Sequence, residues 1–198
     1  MPDARLSALA NIDGASVELG SPELGLHLRE RRPGKLLHLE GARDSSTIAT
    51  ALASLGITTL PDLGRCVGHE TSRLLCIGPS IYLLIEEPQP QNTAVALEGS
   101  FARAFTAALD VSHAWTRLVI EGDRTTDLLA KGSALDLHPR AFPPGRCAPA
   151  AMAHMRVILN RVRVQEFHLL IGRSYALSFW EWLRDASAEF LTAPEAVR

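Results

Sequence analysis

Long hydrophobic runs are missing from this 198-residue chain, and so is a strong excess of charge of either sign. No apolar stretch approaches the roughly 20 residues that a membrane-spanning helix requires. The opening residues, MPDARLSALANIDG, lack the hydrophobic centre of a secretory signal. Both absences point to a cytoplasmic protein with no membrane partner. Lys and Arg number 20 and Asp and Glu 22, a net charge of −2. That balance argues against a nucleic-acid partner, because such binding rests on neutralising phosphates. Cysteine is scarce: Cys66, Cys76 and Cys147 stand far apart with no C-x-x-C pair. Neither a disulfide framework nor a zinc knuckle is indicated.

Reactive motifs are absent too. Glu40-Gly41-Ala42-Arg43 and Glu121-Gly122-Asp123-Arg124 each lead from an expected strand to an expected helix, yet neither carries G-x-G-x-x-G or a phosphate-loop lysine. No G-x-S-x-G occurs, and no cysteine has a histidine at a recognisable spacing. His113, His138 and His154 with Cys147 do not follow a metal-ligand pattern. The expectation is that this chain holds no catalytic, cofactor-binding or metal-ligating residues.

What is present is alternating and amphipathic patterning that repeats. Residues 1–20 read as a loose arm, and 21–198 as a single α+β domain of two similar halves, about 21–110 and 111–192. In the first half, Leu24, Leu26 and Leu28 alternate with polar residues as a strand, and Arg31-Arg32-Pro33-Gly34 turns the chain into a second strand, Lys35 to Glu40. A helix capped at Asp44 or Ser45 buries Ile48, Ala51, Leu52 and Leu55 and stops at Gly56. Strands follow at Arg73 to Ile77 and Ile81 to Glu86, then a helix capped by Ser100 that buries Phe101, Ala104, Phe105 and Ala108. The second half has a strand from Trp115 to Glu121, a short helix capped by Asp123, strands at Arg156 to Val164 and Glu166 to Ile171, and a last helix capped by Ser174. That helix spaces Ala176, Phe179, Trp180, Leu183, Ser187 and Phe190 for one buried stripe. Leu37-x-Leu39-Glu40-Gly41-x-Arg43 echoes Leu118-x-Ile120-Glu121-Gly122-x-Arg124. The order predicts a duplicated β-α-β-β-α unit, two sheets with helices to one side of each.

The run from Leu128 to Pro149 interrupts this regularity. Gly132 is expected in the left-handed conformation that ends a helix, with Lys131 in the last turn. His138 precedes Pro139 and is pushed toward extended backbone, and Phe142-Pro143-Pro144-Gly145 forms a stiff bend between Arg140 and Arg146. Lys131, Asp136, His138, Arg140 and Arg146 are a dense polar cluster that suits a carboxylate-bearing ligand or an acidic partner surface. Trp182 falls off the stripe that holds Trp180 and reads as an interface anchor or a flank of the core. Lys131, His138, Arg140, Phe142, Arg146 and Trp182 are the candidate partner-interface residues. A mean hydropathy of +0.06 fits either a large core or a chain part of whose surface a partner covers.

Asp110-Val111-Ser112-His113-Ala114, Leu129-Ala130-Lys131-Gly132, Ala134-Leu135-Asp136-Leu137-His138-Pro139 and Phe142-Pro143-Pro144-Gly145-Arg146-Cys147-Ala148 carry a resemblance. With Arg173-Ser174-Tyr175-Ala176 and Trp180-Glu181-Trp182-Leu183, they are similar to the gamma subunit family of heterotetrameric sarcosine oxidase. The likeness is dense from about Leu109 to Phe190 and thinner before it. It implies a fold resembling the folate-binding aminomethyltransferase (GcvT-like) proteins and a non-catalytic subunit. The complex implied has alpha, beta and delta partners and oxidatively demethylates sarcosine to glycine, with hydrogen peroxide and methylenetetrahydrofolate formed. FAD, FMN, NAD, zinc and tetrahydrofolate are expected on those partners and not here. Ser133 stands where the family usually has cysteine, and Cys76 and Ser80 depart from its pattern at the Gly78-Pro79 turn. These departures keep open a gamma-type subunit of a related N-methyl amino acid oxidase or dehydrogenase. Lys131-Gly132 also begins the Lys-Gly-Cys signature of folate-dependent iron–sulfur repair proteins. A stand-alone folate-binding, aminomethyltransferase-like protein is therefore a second reading, and a scaffold without an enzyme partner a third.

Overall fold

Gly41 and Gly122, the glycines of the internal echo, both have positive φ, 65° and 121°. In each half they stand where a strand ends ahead of a helix, a junction that favours a residue without Cβ. The computed structural model describes residues 7–10, 17–42, 45–88 and 98–191; the side chains of 45, 46 and 98 are outside the description. The expected caps Asp44 and Ser45 are therefore not described. The strands are β1 (Glu18–Ser21), β2 (Leu26–Glu30), β3 (Lys35–Ala42), β4 (Cys66–Gly68), β5 (Ser72–Gly78), β6 (Ile81–Glu86), β7 (Phe105–Asp110), β8 (Trp115–Glu121), β9 (Cys147–Met152), β10 (Met155–Arg163) and β11 (Glu166–Gly172). The helices are α1 (Ser45–Ala53), α2 (Glu98–Ala104), α3 (Thr125–Ala130) and α4 (Ala176–Leu191).

Two compact units result, and the chain passes between them more than once. The first takes Met1–Arg31, Thr116–Pro144 and Pro149–Arg198; the second takes Arg32–Trp115 and Gly145–Ala148. The second holds a five-stranded sheet in the order β4-β5-β6-β3-β7. The first is built on a sheet ordered β9-β10-β11-β8-β2, with β1 added at the β2 edge. Position by position the two orders match, β7 standing where β2 stands. One of these strands follows the second helix of its half, and the other precedes the first strand of its half. The α+β duplication is thus present in strand order as well as in letters.

The second unit's core shows how the pattern becomes packing. Leu37 and Leu39 of β3, Leu74 and Cys76 of β5, and Tyr82 and Leu84 of β6 share a cluster with Ile48, Ala51 and Leu52 of α1 and Phe101 and Ala104 of α2. Both helices thus cover one face of the sheet. Gly56, φ 69°, ends the α1 region as expected. Lys35 Nζ meets Asp110 Oδ2 at 2.8 Å and ties β3 to β7. Burial alone would raise the Asp110 carboxyl, but hydrogen bonds from Lys35 and Ser112 outweigh it and hold it at about 2.

Several expected elements differ. β2 and β3 do not form a hairpin: β2 pairs with β8, and β3 with β6 and β7. Residues 31–34 carry the chain from one unit to the other, a path that alternation alone does not encode. Leu24 lies in a 3-10 turn, Pro22–Leu24, and is exposed. Ser100 is inside α2, which stops at Ala104; Phe105 and Ala108 belong to β7, paired with Ala42 and Leu39. Sheet pairing overrode a helical spacing. α3 has Arg124 at its N-cap without a side-chain bond, and the Asp123 carboxylate instead lies against the Cα of Gly25. Ser174 sits in a 3-10 turn, Arg173–Tyr175, ahead of α4. The stripe on α4 is as patterned over Ala176, Phe179, Trp180, Leu183 and Ser187, which are buried, whereas Phe190 at its end is only half-buried.

Candidate functional site

The segment from Lys131 to Phe142 lies in the first unit and is fastened from beneath by β10 and β11. Antiparallel pairing places Val157 opposite Ile171, Leu159 opposite Leu169, and Arg161 opposite Phe167, so these residues share one face. Arg161 is 1 % exposed. Its NH1 donates to the carbonyls of Leu137 at 2.9 Å and Phe142 at 2.8 Å, and its Nε to Val164 O at 3.1 Å. The guanidinium carbon stands 4.8 Å from the centre of the Phe167 ring. Burial lowers the Arg161 pKa. The cation is accommodated by carbonyl dipoles and a π face rather than by a carboxylate among the described residues. One buried side chain thus ties together both ends of the turn that carries His138 and Arg140.

That turn is rigid by its own bonds as well. The His138 amide donates to Asp136 Oδ1 at 2.9 Å, and the Arg140 amide donates to His138 Nδ1 at 3.2 Å. The His138 carbonyl accepts from Ala141 and Phe142 at 2.9 and 2.8 Å. His138 and Arg140 themselves are exposed. Phe142 is not: it is 4 % exposed and stacked on Phe167, ring centres 6.4 Å apart. Its proline neighbours stiffen the bend while its ring joins the core, so in the folded chain it offers little surface to a partner.

Gly132 corrects another expectation. It is not among the positive-φ glycines. A Cβ there would lie 2.5 and 2.6 Å from Trp182 ring carbons and 3.1 Å from Met152 Cγ. Glycine is required by the ring laid against it, not by a left-handed cap. Trp182 is accordingly half-buried, 5.4 Å from the Phe179 ring between centres. Lys131 caps α3, but its Nζ pairs with Glu189, donates to the Ala186 carbonyl, and stands 4.5 Å from the centre of the Phe190 ring. It pins α3 to α4. Ser133, at the departure position, bridges Met152, and its hydroxyl accepts from the Leu135 amide at 3.2 Å.

Arg146 belongs to the second unit, with Gly145 at φ 81° as the permissive close of the bend. There the three cysteines draw near one another. Cys147 Sγ donates to Arg65 O at 3.2 Å and Cys76 O at 3.5 Å, and Cys76 Sγ to Gly78 O at 3.3 Å. Burial, then the neighbouring cysteines, pushes the Cys147 thiol up to about 12, and burial raises Cys76 too. Such thiols stay protonated and inert at neutral pH. Among the described residues no group of three His, Cys, Asp or Glu converges as a metal site. Among the same residues no helix is long and apolar enough to cross a membrane, which leaves strands unaddressed.

The sequence reading overlooked Arg161 and Arg65. For Arg161 a signal existed, since it shares the parity of the buried Val157 and Leu159. Nothing near Arg65 marks it as the neighbour of a residue so far along the chain.

Residues 40–189 match the family described as "Sarcosine oxidase, gamma subunit family". The chain belongs to that family. It is 29 % identical over 175 residues to the sarcosine oxidase subunit gamma of Corynebacterium sp. strain U-96, covering 88 % of this chain and 85 % of that one. A chain of the heterotetrameric sarcosine oxidase from Corynebacterium sp. U-96, solved with pyrrole 2-carboxylate, superposes with a TM-score of 0.80 at 29 % identity, over 97 % of this chain and 99 % of that one. The glycine cleavage system aminomethyltransferase T of Bartonella henselae has a TM-score of 0.56 at 14 % identity, over 79 % of this chain and 45 % of its own. That likeness establishes the GcvT-like character of the fold and nothing about activity.

Proposed function

We propose that this chain is the non-catalytic gamma subunit of a cytoplasmic heterotetrameric sarcosine oxidase, joined to alpha, beta and delta partners. The observation that carries the reading is the near full-length correspondence with a chain of such a heterotetramer, 97 % of one and 99 % of the other. The complex demethylates sarcosine oxidatively to glycine, yielding hydrogen peroxide and passing the one-carbon unit to tetrahydrofolate. FAD, FMN, NAD, zinc and tetrahydrofolate reside on the partner chains in this proposal. The contribution of this chain is a shaped, pre-ordered surface. His138 and Arg140 stand exposed on a turn fixed by Arg161, so little loop entropy remains to be lost on docking. Lys131 and Trp182 stiffen the same unit from its helical side.

Co-expression with the large flavoprotein subunits tests this. The chain should co-elute with them on a sizing column and be colourless when purified alone. Arg146→Glu should weaken assembly more than it lowers the melting temperature. A chain that ignores the large subunits yet binds tetrahydrofolate tightly in calorimetry would replace this reading with a stand-alone folate-binding protein.

A further inference from the structure

We infer that Arg65 and Arg146 together form a paired-guanidinium seat for a carboxylate presented by a partner subunit, an inference that rests on the subunit role proposed above. The two residues lie 81 positions apart in sequence, yet both belong to the second unit and face each other across an isolated antiparallel bridge. The Cys66 amide donates to Gly145 O at 2.8 Å, and the Cys147 amide donates to Gly64 O at 3.0 Å. These bonds bracket Arg65 and Arg146 as a non-hydrogen-bonded pair. In that geometry side chains project from one face and approach most closely, Cα atoms about 4.5 Å apart.

Like charges placed opposite one another work against the fold, and opposite charges would serve it. Two cations are found here nonetheless. Among the described residues neither guanidinium has a carboxylate partner. Asp62, nearby in sequence, reaches Arg65 through its backbone carbonyl, 2.9 Å from the Arg65 amide. Arg146 Nε is shut off from solvent with no acceptor among the described residues, while the residue as a whole is only half-buried. The guanidinium rests beside Gly64, φ 73°, where a Cβ would stand 3.5 Å from its NH1. It is thus held edge-in, with Arg65 exposed alongside. Leu63, 60 % exposed, adds an apolar rim two residues before Arg65. Forked donors on a fixed bridge beside an apolar rim suit an Asp, Glu or chain-terminal carboxylate on a protein surface.

The experiment uses the complex assembled by co-expression, captured through a partner subunit and washed with rising salt, reading the fraction of this chain retained. Arg65→Gln and Arg146→Gln should each weaken retention by about tenfold or more. The double variant should lose little beyond either single one, because both side chains grip one group. Arg65→Lys should fall short of full rescue, since a point charge cannot replace the fork. Melting of each glutamine variant chain should equal or slightly exceed the wild type, because the repulsion between the paired cations is relieved. Retention equal to wild type in the single variants overturns the inference while leaving the subunit role intact. Melting that falls in step with retention overturns it in favour of a framework role. Phosphate that raises the melting temperature while retention is unaffected by the substitutions assigns the pair to a free anion and overturns it too. A wild-type chain that never joins the complex defeats the subunit reading beneath it.

Discussion

Arg161→Met is the most informative single change, because it keeps the aliphatic stem and deletes the group that ties the turn down. Two carbonyls in buried bonds, Leu137 O and Phe142 O, lose their donor. Each buried acceptor left unsatisfied costs about 1–3 kcal/mol. Val164 O loses a donor as well, but lies in a part-buried bond and can be rehydrated. Against these losses stands the release of a desolvated cation, worth on the order of a few kcal/mol in such sites. The attraction to the Phe167 ring, about 1–2 kcal/mol when desolvated, is also lost. The balance is a destabilisation of about 3 kcal/mol, or about 6–12 °C in melting temperature for a chain of this size. The local effect is easier to isolate. Exposed Arg140 is a tryptic site on the very turn that Arg161 secures, and a weakening of about 3 kcal/mol raises the open population by about a hundredfold. Tryptic cleavage at Arg140 should accelerate accordingly under native conditions, before global unfolding. Unchanged cleavage at Arg140, together with unchanged melting, would refute the claim that this side chain fixes the turn.

Gly132→Ala should cost about 1–3 kcal/mol by driving a methyl into Trp182, and tryptophan fluorescence and thermal melting should change together; Trp182→Ala in the same chain should relieve part of the loss. Glu166 accepts from His168 at 2.9 Å and from Arg163 at 2.6 Å, and the His168 bond first among these holds its carboxyl at about 2, below the ordinary 4.5. A depressed carboxylate stabilises fully above its unfolded value, so on the order of 3 kcal/mol should vanish as pH falls from 4.5 toward about 2, and Glu166→Gln should flatten that part of a melting-versus-pH curve. Cys147 and Cys76 should resist a thiol reagent at about pH 8 in the native chain and react fully in denaturant. Rapid native labelling of Cys147 would contradict its burial.

The α4 stripe, β5, β6, β8, β10 and β11 were legible because a buried face imposes its own spacing on local sequence. The resemblance in 134–148 and 173–183 pointed to the family that the match over 40–189 established. β7 was not legible, since Phe101, Ala104, Phe105 and Ala108 satisfy a helical period, and only the open edge of β3 settles where the helix gives way to a strand. The same holds for Phe142, whose place beside two prolines suggested a surface bend until Phe167 claimed its ring.

By itself the sequence determined the duplicated order of strands and helices, the lack of reactive motifs and the stiffness of the proline-rich run, all properties set within a few residues of where they act. Only the tertiary structure decided that Gly132 answers to Trp182, that Arg161 fastens the turn of His138 and Arg140, and that Arg65 meets Arg146. Those pairings join residues tens of positions apart, and strand register together with the docking of the last helix, which no local spacing records, is what brings them within reach of one another.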